Sequence, residues 1–161
     1  MRRTRIVLVL SAIAALSLGC SSNSSGGQSS TTAGSLAASL DATQVVNPST
    51  GQPVTVPATL QGASGTFAGH VDRSTDRLTW HLTYQGLGTP QVVIADIHYG
   101  AAGHFGRLLV RLCGPCRSSR PAGVTPLTSA EAPALTSGAT WVTVLTETYP
   151  NGAIRGQITS H

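Results

Sequence analysis

Asp96 and His98 stand two apart in Ala95-Asp96-Ile97-His98-Tyr99. On a β-strand, residues two apart project from the same face, so this carboxylate and imidazole share one side. His104 follows across a short glycine-containing stretch, and His81 lies on an earlier segment. A carboxylate with two imidazoles suits Zn or Cu, so Asp96, His98 and His104 form a candidate metal set. The same groups can instead hydrogen-bond neighbouring backbone and an arginine, which needs no metal. Arg155, in Ile154-Arg155-Gly156, alternates away from its neighbours. A half-buried arginine requires a carboxylate, and Asp96 is the expected partner in a structural ion pair, with Glu147 as the alternative.

Cys113-Gly114-Pro115-Cys116 is the second motif with chemistry. It resembles the CGPC redox motif of thioredoxins, where the first cysteine begins a helix whose dipole lowers the thiol pKa. The following Arg117-Ser118-Ser119-Arg120-Pro121-Ala122-Gly123 is a poor helix, and Leu112 stands where those proteins usually carry tryptophan. In an exported chain the two cysteines are expected to pair as a structural disulfide, with thiol-redox activity as the alternative. So short a loop contributes about 2 kcal/mol through chain entropy. GxSxG and HExxH motifs are lacking.

The N-terminus carries the features of an exported chain. Arg2, Arg3 and Arg5 precede an apolar run from Ile6 to Leu16, followed by Ser17-Leu18-Gly19-Cys20. A positive head, short apolar middle and small-residue end form a secretory signal over residues 1–19. The apolar middle is too short to cross about 30 Å of hydrocarbon as a helix. Leu-Ser-Leu-Gly-Cys resembles a bacterial lipobox, which implies lipidation of Cys20 and a membrane anchor. Residues 20–46 are expected to act as a Ser/Gly/Thr-rich tether, because such a segment has little to bury. The net charge is +4, and loss of three arginines with the signal leaves 4 − 3 = 1 positive charge. Basic patches interleaved with aromatics are missing, so nucleic acid is not an expected partner.

Residues 47–161 suffice for one domain, and their low charge, threonine, valine and Gly/Pro punctuation point to an all-β fold. Leu78-Thr79-Trp80-His81-Leu82-Thr83-Tyr84 alternates strictly, which places Leu78, Trp80, Leu82 and Tyr84 inward. Further strands are expected at 53–60, 65–72, 91–99, 107–112, 140–148 and 153–159, with a turn at Tyr149-Pro150-Asn151-Gly152. Trp80, Trp141 and Tyr84 are expected in the core. Thr128-Ser129-Ala130-Glu131 has capping-box form, and Gly138 is a natural stop, so one short helix lies between. About seven short strands imply a Greek-key, immunoglobulin-like sandwich or barrel.

Ala95-Asp96-Ile97-His98-Tyr99-Gly100 and the closing Tyr149-Pro150-Asn151-Gly152-Ala153-Ile154-Arg155-Gly156-Gln157, in that order within residues 60–159, resemble the chordin-domain (CHRD) family. Ala95-Asp96-Ile97-His98-Tyr99-Gly100, with Gly103 and Gly106, is similar to its AHIHxG…G signature. Tyr149-Pro150-Asn151-Gly152-Ala153-Ile154-Arg155-Gly156-Gln157 is similar to its YPxGEIRGQ ending. Asp96 replaces the first histidine of HIH, Leu145 replaces a strand histidine, and Ala153 replaces the acidic residue. The resemblance implies an immunoglobulin-like β domain in a secreted or surface protein. Taken together, these readings describe a lipid-anchored, non-enzymatic binding or structural module at the cell envelope. Its partners are the membrane and an envelope or extracellular protein; no cofactor is expected, with Zn or Cu binding or thiol redox as the alternative.

Overall fold

The computed structural model describes residues 34–88 and 92–161. Among them are nine strands, β1 Gly34–Asp41, β2 Ser64–Asp72, β3 Arg77–Gln85, β4 Val92–Tyr99, β5 Leu108–Cys113, β6 Ala122–Pro126, β7 Thr140–Thr146, β8 Ile154–Gln157 and β9 Thr159–Ser160. The order across the sheet is β5-β4-β7-β8-β1-β2-β3-β6, with β9 continuing the β8 side of β1. The pairings are antiparallel and the sheet curls into a nearly closed barrel.

β3 behaves as its alternation requires. Leu78, Trp80 and Leu82 are buried while Thr79, His81 and Thr83 face solvent. Thr66 and Thr83 hydroxyls bond across the outside of the β2–β3 pair at 2.7 Å. The β2–β3 turn is closed by Asp72, whose carboxylate accepts from the Ser74 amide and hydroxyl and the Thr75 hydroxyl. These bonds hold the Asp72 carboxyl down at about 2.

Three expectations are corrected. The tether does not extend to residue 46, because Gly34–Asp41 is a full strand between β2 and β8. Leu36, Ala38 and Leu40 point into the core, and their alternation is diluted by small serines and alanines. Residues 1–33, with the signal, Cys20 and the rest of the tether, lie outside the described residues. The strand expected at 53–60 is a single bridge from Val46 to Pro53 followed by a 3-10 turn at Ala58–Leu60. Pro53 and Pro57 lack the N–H that a ladder needs. Finally, Ala122–Pro126 is an edge strand on β3 that the weak composition AGVTP concealed.

The short helix exists as α1, Glu131–Leu135. Half of the capping box forms: the Thr128 amide donates to the Glu131 carboxylate at 2.7 Å. Gly138, at φ +77°, ends the segment. The registers place Gly34, the β2–β3 turn, the 100–107 loop and α1 toward one end of the barrel. The 42–63 segment, the 114–121 loop and the β7–β8 turn occupy the other.

Candidate functional site

β4, β7 and β8 are buried on both faces. Inward, Ala95, Ile97, Val142, Val144 and Ile154 join the apolar core. Outward, the alternate residues Asp96, Trp141, Thr143 and Arg155 are also buried, with Arg155 only 3% exposed. The cover is the loop from Gly100 to Gly106, which folds back over this face. Gly106 permits the fold-back: a Cβ there would lie 1.5 Å from the Tyr99 carbonyl oxygen.

Beneath the loop is a stack. The Arg155 guanidinium carbon sits 3.9 Å from the Trp141 ring centre, a cation–π contact in a desolvated setting. His98 stacks on Trp141 at 4.3 Å, 11° from parallel. Phe105 tilts against Trp141 at 6.0 Å and against His98 at 6.1 Å. Hydrogen bonds fix the loop backbone. Arg155 Nη2 donates to the carbonyls of His104 at 2.7 Å and Ala101 at 3.4 Å. Gln157 Nε2 donates to the carbonyls of Gly138 and Gly100 at 3.0 and 3.3 Å. His98 Nδ1 lies 3.0 Å from the Gly106 carbonyl, to which it donates in the matching tautomer. Trp141 is thus buried as expected, but outside the core; Trp80 is the core tryptophan and Tyr84 is half-buried at the surface.

The expected Arg155–Asp96 ion pair does not form. Asp96 accepts instead from Arg111 Nε at 3.2 Å, the residue opposite it on β5. β7 separates β4 from β8, so the sheet order sends Asp96 and Arg155 to different neighbours. Glu147 is exposed in the β7–β8 turn. Burial raises the Asp96 carboxyl above its ordinary value, and the Arg111 hydrogen bond and charge and the His98 charge offset only part of this. Burial likewise lowers Arg155 to about 10, which leaves it a cation at neutral pH.

Asp96, His98 and His104 do not converge. Asp96 is engaged by Arg111, His98 lies in the stack, and His104 exposes its side chain while its carbonyl serves Arg155. His81 is exposed on β3, which is not adjacent to β4. Among the described residues, no group of three His, Cys, Asp or Glu side chains is gathered for a metal.

Cys113 and Cys116 form a disulfide with Cα atoms 5.1 Å apart. Cys116 packs into the core. No helix follows it: the Ser119 and Pro121 carbonyls accept from the Tyr84 and Leu82 amides, so the chain runs alongside β3. The disulfide therefore anchors the connection between the sheet's two edge strands, β5 and β6.

Two clefts were not legible in the sequence. One, of about 220 Å³, lies between the 42–60 segment and the β7–β8 turn, against Val45, Val54, Leu60, Tyr149 and Ala153. A hydroxyl contact of 2.5 Å between Thr59 and Tyr149 ties its two sides. The proline spacing Pro48, Pro53, Pro57 among valines was its only sequence signal. The other, of about 150 Å³, opens between Thr43–Gln44 and Ala102–Gly103, with Arg155 and Gln157 among its lining.

These features define a small antiparallel β-barrel domain whose outer face carries a second, polar and aromatic, buried layer. The chain belongs to the CHRD domain family, whose model matches residues 36–158. No curated protein and no solved structure matches it.

Proposed function

We propose that this CHRD domain is an exported, lipid-anchored module at the cell envelope that binds or scaffolds a protein partner without catalysing a reaction. The observation that carries the reading is the sequence order of a basic head, a short apolar run, Cys20 and a polar leash ahead of β1. The leash from Cys20 to Gly34 leads into the barrel end formed by the β2–β3 turn and α1. A flexible coil of that length spans about 20 Å, which keeps the domain near the bilayer. The opposite end, with the apolar cleft and the disulfide loop, then points away from the lipid and is available to a partner. Several acyl chains on Cys20 would hold where one binds only marginally.

The test is detergent phase partitioning and mass spectrometry of the protein from cells that export it. The wild type is expected in the detergent phase with acylated Cys20 as its first residue, and Cys20→Ala in the aqueous phase. A mature chain that begins elsewhere, or an unmodified Cys20, contradicts the proposal.

A further inference from the structure

Among the described residues the exposed large hydrophobic side chains are Tyr99, Phe105, Leu108 and Val124, and the first three fall between positions 99 and 108. They meet where β4 gives way to β5. Leu108 stands opposite His98 across the two strands, and Phe105 lies against the same His98 ring at 6.1 Å. The Tyr99 amide donates to the Arg107 carbonyl, and the Arg107 guanidinium lies over the Tyr99 ring at 5.7 Å. The other exposed side chains of this segment belong to Ala101, Ala102 and His104, so Arg107 is its one permanent charge. The β2–β3 turn at the same barrel end, Asp72-Arg73-Ser74-Thr75-Asp76-Arg77, is by contrast dominated by charge.

Phe105 is held outward rather than left loose. The His104 carbonyl before it accepts from Arg155 at 2.7 Å, and the Gly106 carbonyl after it faces His98 Nδ1 at 3.0 Å. Trp141 backs its ring at 6.0 Å. An apolar ring fixed in water gains by entering an apolar phase, and one already fixed loses little freedom on doing so.

The position of the patch indicates which phase that is. β1 begins at Gly34, where a Cβ would lie 2.6 Å from Thr136 Cγ2. Three residues on, the Ala139 carbonyl accepts from the Gly100 amide at 2.8 Å. One short connection, Thr136–Ala139, therefore touches both the start of β1 and the base of the patch. A lipid on Cys20 would hold that start within about 20 Å of a bilayer, at an effective concentration on the order of millimolar. Phe and Leu side chains settle at the boundary between headgroups and acyl chains, while arginine keeps its charge at the phosphates.

We propose that the Tyr99–Leu108 segment is a membrane-contact surface, which seats Phe105 and Leu108 in the headgroup boundary of the bilayer and Arg107 on a lipid phosphate. This rests on the lipid anchor proposed above, and it names the face of the barrel that meets the lipid.

The experiment couples the chain from Cys20 onward, which contains every described residue, to a maleimide lipid in nanodiscs of phosphatidylcholine and phosphatidylglycerol. Of the three cysteines, Cys113 and Cys116 are joined, so Cys20 is the thiol that reacts. The linkage stands in for acylation, so the outcome does not depend on whether cells acylate Cys20, and the anchor keeps its own test. A gadolinium-chelating headgroup broadens amide signals close to the bilayer in ¹H–¹⁵N spectra. Residues 99–108 are expected to broaden most, and residues 45–57 and 149–152, at the opposite end, to stay sharp. Phe105→Ser is expected to lower the contact population about tenfold. Because Phe105 also packs on Trp141, Leu108→Glu, at an exposed position outside those ring contacts, is the second variant. It is expected to lose the same broadening with the rest of the spectrum in place. Broadening centred on another surface, broadening that favours no surface, or a pattern that Leu108→Glu leaves unchanged overturns the proposal.

Discussion

The inner and outer faces of β4, β7 and β8 are both closed to water, but by different physics. Ile97, Val142, Val144 and Ile154 are inside because apolar area leaves water when the barrel closes. His98, Trp141, Arg155 and Gln157 are covered because one short loop lies over them, secured by hydrogen bonds to its carbonyls. The inner face is non-directional and tolerates exchange of similar shapes; the outer face depends on named donors meeting named acceptors. Burial alone therefore does not distinguish a core from a site. Among the described residues the outer face carries most of the buried polar atoms that lack a partner, on Trp141, Arg155 and Gln157, whereas the inner face carries one, on Thr140.

The comparison can be broken most sharply from the inside. Ile97→Ala removes a fully buried side chain at the centre of β4 and is expected to cost about 4 kcal/mol by urea denaturation. A loss under about 1 kcal/mol would mean that the barrel interior is loosely packed. Next comes Gly106→Ala, whose Cβ collides with the Tyr99 carbonyl. It is expected to cost about 3 kcal/mol, with faster amide exchange in residues 100–106, whereas β2 and β3 keep their protection. Equal protection loss everywhere would make the loop part of the core rather than a lid on a second layer.

Arg155→Met should cost less than about 1 kcal/mol, because relief of the buried charge offsets the lost carbonyl hydrogen bonds. The same variant should still release the loop in hydrogen exchange. A loss as large as that of Ile97→Ala would show that the outer face carries the fold. Asp96→Asn should have the smallest effect. The folded Asp96 carboxyl titrates above its ordinary 3.8. Protonated Asp96 therefore favours the folded state at acid pH, and that contribution is lost as pH rises through the raised value. The variant should gain on the wild type as pH rises from about 4 to neutral. A growing deficit over that window would mean that the Arg111 pair outweighs burial.

Much of the inner face was legible in the sequence. The alternation of Leu78, Trp80 and Leu82 fixes β3, and the Tyr149-Pro150-Asn151-Gly152 turn fixes the β7–β8 hairpin, with Gly152 at φ +119°. β1 was concealed because Ser35, Ala37 and Ser39 read as tether, although Leu36, Ala38 and Leu40 are core. The outer face was legible only as a set of residues. Asp96, His98, His104 and Arg155 were all singled out, yet their partners depend on strand order and on where one loop lies. Alternation assigns a side chain to a face and cannot say that β7 stands between Asp96 and Arg155. Nor does it reveal that Gly100–Gly106 folds inward over Trp141.

The most direct test of this account is ¹⁵N NMR of the arginine side chains at neutral pH. Arg155 should give resolved guanidinium N–H signals with slow solvent exchange and restricted rotation, unlike those of exposed Arg77. Arg155 signals that exchange and average as fast as those of Arg77 would contradict a buried cation beneath the loop.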